Sequence, residues 1–69
     1  MSSENPKPEA RRILNFLASL PTGHTTASRE VVREIQLSTG AQLFAQGRLY
    51  NIRAQSVGAR VYRVTLEKT

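Results

Sequence analysis

Eight of the ten cationic side chains in this chain are arginines, and they are unevenly placed. Residues 1–36 carry Lys7, Arg11, Arg12, Arg29 and Arg33 against Glu4, Glu9, Glu30 and Glu34, a net of +1. Residues 37–69 carry Arg48, Arg53, Arg60, Arg63 and Lys68 against Glu67 alone, a net of +4. A planar guanidinium presents paired donors that match phosphate oxygens and base edges, so a basic half that prefers arginine to lysine fits an anionic polymer such as nucleic acid. The groups that would support other chemistry are scarce. There is no cysteine, no aspartate and a single histidine, His24. The chain therefore lacks a thiol nucleophile, a thiolate zinc set and a glycine-rich phosphate loop of the required spacing. Glu30 and Glu34 share a helix face with Arg29 and Arg33 beside them, the pattern of a solvated surface pair. No catalytic residue, metal ligand or cofactor is expected.

Sixty-nine residues make one domain, near the lower size limit for folding without disulfides or metal. No apolar run approaches the roughly 18 residues that cross a bilayer. The first residues lack the order of a secretory signal, and a cytoplasmic location is the expectation. Residues 1–7 read as a polar, flexible tail, and 8–69 as the folded domain.

The elements that must position the arginines follow from the spacing of apolar residues. Pro8 and Glu9 suit a first helical turn. From there Ala10, Ile13, Leu14, Phe16, Leu17 and Leu20 recur at three- and four-residue intervals. This predicts an amphipathic helix over 8–20, ended by Pro21. After a turn and a short extended stretch, Ser28 or Thr26 is placed to cap a second helix carrying Val31, Val32 and Ile35. Ser38 or Thr39 is placed to cap a third, with Ala41, Phe44 and Leu43 inward and Gly47 as its stop. Beyond Gly47 the period changes to two. Tyr50, Ile52 and Ala54 alternate with Asn51, Arg53 and Gln55, and Tyr62, Val64 and Leu66 alternate with Arg63 and Thr65. A hairpin with the loop Val57-Gly58-Ala59 would pair Ala54 with Tyr62, Ile52 with Val64 and Tyr50 with Leu66, leaving the arginines on the opposite face. Phe16, Leu17, Val32, Ile35, Ile52 and Val64 are the expected core.

The order of these elements resembles the winged helix-turn-helix family. The local likeness lies in Ile35, Leu37 and Ser38 before the third helix, with Gln36 where glycine is commonest, and in Thr25-Thr26-Ala27-Ser28-Arg29-Glu30 before the second. Ser38-Thr39-Gly40-Ala41-Gln42-Leu43, Gly47-Arg48-Leu49-Tyr50-Asn51-Ile52 and Arg60-Val61-Tyr62-Arg63-Val64-Thr65 also look like PadR-type repressors, in which the residues after Gly47 continue the recognition helix. The resemblance implies an α+β fold of three helices followed by a C-terminal β-hairpin wing. It also implies a non-enzymatic protein that binds double-stranded DNA, a small transcriptional regulator or architectural protein of phage, plasmid or prokaryotic type. The third helix would present Thr39, Gln42 and Gln46 to base edges, with Ser38 or Thr39 on a phosphate. Arg48, Arg53, Arg60 and Arg63 would neutralise the backbone. A homodimer and a protein partner are left open. The alternative is an accessory protein that modulates a host protein through the same basic surface. RNA ranks last, for want of exposed aromatics on the sheet.

Overall fold

The first helix, α1 (Pro8–Ser19), covers the expected segment and turns Ala10, Ile13 and Leu17 inward. A computed structural model describes residues 8–69; the expected tail at 1–7 lies outside the described residues. Strand β1 (His24–Ser28) follows the turn at Pro21. Ser28 then caps α2 (Arg29–Thr39), its hydroxyl accepting the Val31 N–H at 3.3 Å. Gly40 closes this helix in the left-handed conformation, φ 66°, and returns its N–H to the Gln36 carbonyl at 2.9 Å. The chain then forms β2 (Gln42–Ala45), β3 (Arg48–Gly58) and β4 (Val61–Lys68).

All four strands join one antiparallel sheet in the order β1-β4-β3-β2. Both helices cover a single face of it. Val31, Val32 and Ile35 of α2 and the inward row of α1 meet Ala27, Ile52 and Val64, with Leu14, Leu43, Ala54, Tyr62 and Leu66 packed around them. Among the described residues, no element covers the other face of the sheet.

Three expectations are corrected here. The third helix does not form, so the fold is two helices on a four-stranded antiparallel sheet and not three helices with a hairpin wing. Residues 42–45 are a strand, with Leu43 and Ala45 inward and Gln42 and Phe44 outward. A short apolar run such as Leu43–Phe44 has no decisive period, and Gly47 serves a different element from the one inferred. Gln46 and Gly47 both adopt positive φ, 50° and 79°, in the two-residue loop that joins β2 to β3. This is the backbone that a tight hairpin with matched strand twist demands. With no third helix, the PadR-like continuation of one past Gly47 also fails, because 48–58 are strand.

The second correction concerns the register of the expected hairpin. Ala54 faces Val64, Ile52 faces Leu66 and Tyr50 faces Lys68, two residues from the expected pairing. A β-bulge between Ser56 and Gly58 and a two-residue loop at Ala59–Arg60 replace the three-residue loop. A slip of two keeps every side chain on its own face, so the segregation of apolar from polar residues could not detect it.

The third concerns two phenylalanines. Phe16 is 40% exposed and Phe44 66%. Phe16 lies beside the buried row of α1, over Gly23, where an added Cβ would stand 2.9 Å from Leu20 and 3.2 Å from the Phe16 ring.

The loop at Gln46–Gly47 gives a first testable outcome. Nothing lies within 4 Å of a Cβ added at Gly47, so Gly47→Ala meets only the backbone penalty of positive φ. It is expected to cost about 1–2 kcal/mol in a urea unfolding titration, leaving the far-ultraviolet spectrum of the folded state unchanged.

Candidate nucleic acid interface

Alternation along β3 and β4 decides what the open face carries. Once Ile52, Ala54, Val64 and Leu66 are drawn to the helices, Asn51, Arg53, Gln55, Arg63, Thr65 and Glu67 must point away. The sheet register aligns them in rows. Thr26, Arg63 and Gln55 face one another across β1, β4 and β3, followed by His24, Thr65 and Arg53, then Glu67, Asn51 and Gln42. Phe44 and Leu49 form the last pair, at the β2 edge. The result is a surface of guanidinium, amide and hydroxyl groups with an apolar corner.

Two contacts order this surface. Arg53 Nη1 donates to Glu67 Oε2 at 2.5 Å, with both side chains about half exposed, 55% and 48%. Gln42 Nε2 donates to Asn51 Oδ1 at 3.1 Å. Glu67 thus neutralises one of the two arginines on this face. Arg63 has no carboxylate partner among the described residues. It is exposed, with neutral hydrogen-bonding neighbours on both sides.

The residues expected to touch DNA do not gather in one place. Gln42, Arg53 and Arg63 share the open face. Arg60 stands at the tip of the β3–β4 hairpin, with φ 62°, and Arg48 begins β3 beside the β2–β3 loop. Gln46 lies in that loop and donates its Nε2 to the Ser19 carbonyl at 3.0 Å, tying the end of α1 to the hairpin. Ser38 and Thr39 are at the C-terminal end of α2, not the N-terminal end of a further helix. Both hydroxyls donate to the Ile35 carbonyl, at 3.3 and 2.6 Å, and Thr39 Oγ1 also accepts the Ala41 N–H at 3.2 Å. The exposed carbonyls of a helix C-terminus disfavour an anion, so the helix N-terminal phosphate site expected at these two residues does not form.

The open face also holds residues that the sequence reading left out of its site: His24, Thr26, Phe44, Asn51, Gln55 and Thr65. Asn51, Gln55 and Thr65 were legible as the polar half of the alternation. His24, Thr26 and Phe44 were not, because β1 and β2 were not recognised as strands of this sheet. No helix among the described residues is long and apolar enough to cross a membrane. Comparison with known proteins finds no matching family model, no matching curated protein and no matching solved structure.

Proposed function

We propose that this protein binds double-stranded DNA through the open face of its sheet. The observation that carries the reading is Arg63, an exposed guanidinium without a carboxylate partner among the described residues, flanked by Thr26 and Gln55 in one row. Neighbouring strands lie about 4.8 Å apart, and a two-stranded ribbon fits a major groove about 12 Å wide. The β3–β4 hairpin supplies two adjacent strands of that kind, with β1 paired along the other side of β4. On it, Gln55 and Arg63 sit opposite each other, and these side-chain types pair bidentately with adenine and guanine. Arg60 at the hairpin tip and Arg53 beside its glutamate supply phosphate contacts.

The test is equilibrium binding to duplex DNA across a salt series. Wild type should bind with a log–log salt slope, and Arg53→Ala with Arg60→Ala should flatten it by up to about two units, near one per phosphate contact. Binding whose slope is the same in wild type and the double variant would remove these residues from the interface.

One observation favours a second reading. Phe44 is 66% exposed on the same face, which supplies an aromatic surface where the sequence promised none. Single-stranded RNA is recognised by stacking bases on such rings, usually two or three of them. Phe44 is one ring with Leu49 opposite, so duplex DNA is preferred. If the single-strand reading holds, Phe44→Ala weakens binding to single-stranded RNA by about 1–3 kcal/mol and leaves duplex binding unchanged.

A further inference from the structure

Strand β3 has 11 residues and its neighbour β2 only four. Pairing between them covers Arg48–Asn51, and the Ile52 N–H reaches the Ala41 carbonyl at 2.8 Å. Beyond that point β3 is an edge, paired to β4 on one side and to no described residue on the other. Backbone groups alternate along a strand. Since Ile52 directs its N–H toward β2, Ala54 and Ser56 direct their N–H and C=O groups the same way, into the space that a longer β2 would fill.

That edge adjoins a groove. On the helix side of the sheet, Ala54 and Tyr62 form the floor and Arg29, Val32, Arg33 and Gln36 of α2 the wall of a cleft of about 490 Å³. Among the described residues, the only charged side chains lining it are the two arginines, and neither has a carboxylate partner there. The stretch Ala54–Ser56 has none of the proline or lysine that commonly blunts an exposed strand, and the β-bulge lies past it, between Ser56 and Gly58.

We infer that the free edge of β3 accepts an extended acidic segment of another protein as an added strand, its carboxylates seated on Arg29 and Arg33. The backbone decides between a peptide and a nucleic acid here. Ala54 and Ser56 offer donors and acceptors in alternation, which another peptide backbone satisfies in full. A phosphate chain supplies acceptors only. The two arginines then select negative over positive side chains on the strand face turned toward α2, and the apolar floor at Val32, Ala54 and Tyr62 receives the aliphatic part of one such side chain. The groove lies on the opposite side of the sheet from the proposed DNA face, the β3 edge borders both, and the inference does not depend on that face.

The probe is a short fluorescein-labelled peptide alternating glutamate and valine, with a lysine–valine peptide of equal length as the control. The glutamate peptide should bind the full chain at least about tenfold more tightly than the control, as expected for charge-assisted hydrogen bonds. It should shift the amide resonances of Ala54 and Ser56. Arg29→Glu with Arg33→Glu, both exposed positions, should reverse the preference between the two peptides. Ala54→Pro removes a donor that faces outward and is a tolerated edge substitution; it should abolish binding while leaving the amide spectrum of α1 in place. Equal binding of both peptides, binding that survives Ala54→Pro, or an unchanged preference in the charge-reversed variant would each overturn the inference. So would competitive displacement of the peptide by a single-stranded oligonucleotide with the same resonances shifted, or concentration-dependent self-association that Ala54→Pro removes.

Discussion

Leu17→Ala is expected to remove about half of the protein's stability. Leu17 is fully buried, on the row of α1 that faces α2 and the sheet. Truncating such a leucine costs about 2–5 kcal/mol, through lost transfer energy and the cavity left behind. A domain of this length has a total stability of about 3–10 kcal/mol, so the loss is about half of the whole at mid-range. The neighbouring Phe16→Ala should cost less than about 2 kcal/mol, because its ring is already 40% exposed. Thermal denaturation of the pair checks this. A Phe16→Ala protein less stable than Leu17→Ala would mean that α1 is rotated about its axis from the orientation described.

Reversing one charge on the open face should have the largest effect on binding. Arg63→Glu is expected to weaken duplex DNA binding by more than the about 1–3 kcal/mol, or five- to 150-fold, assigned to losing a base-contacting arginine. A carboxylate at the same point adds repulsion from the phosphates. Arg63→Ala should give the simple loss and relax any preference for guanine at one position. Gln55→Ala should do the same for adenine without changing the salt slope. These substitutions lie on an exposed surface, so the melting temperature is a built-in control. Fluorescence anisotropy on a randomised duplex pool and on its enriched sequence separates the two effects. Unaltered affinity in Arg63→Glu would move the interface off this face altogether.

Pattern is legible where the chain is long and periodic. Pro8 and the three- and four-residue spacing up to Leu17 place α1. Ser28 with Val31, Val32 and Ile35 places the start and inner face of α2. The alternation from Tyr50 to Leu66 assigns each side chain of the hairpin to a face, including Gln55, Arg53 and Arg63 on the polar one. The remainder was set by partners distant in sequence. His24–Ser28 is a strand because β4 offers it hydrogen bonds, and its own five residues carry no period strong enough to announce it. Gln42–Ala45 reads equally well as a turn of helix. It is a strand because Gly40 and Ala41 both take positive φ and end α2, and because Gln46–Gly47 folds it back on Arg48–Asn51. That one decision removes the third helix, leaves Ser38 and Thr39 at a helix C-terminus, and turns Phe44 outward. The pairing register was equally out of reach of pattern, since a shift of two residues costs nothing in face segregation and is fixed only by the bulge at Ser56–Gly58. The partnership of Arg53 with Glu67 depends on that register, because it puts Asn51 opposite Glu67 and Arg53 opposite Thr65, one diagonal apart. Local spacing selects faces; long-range hydrogen bonding selects which faces meet.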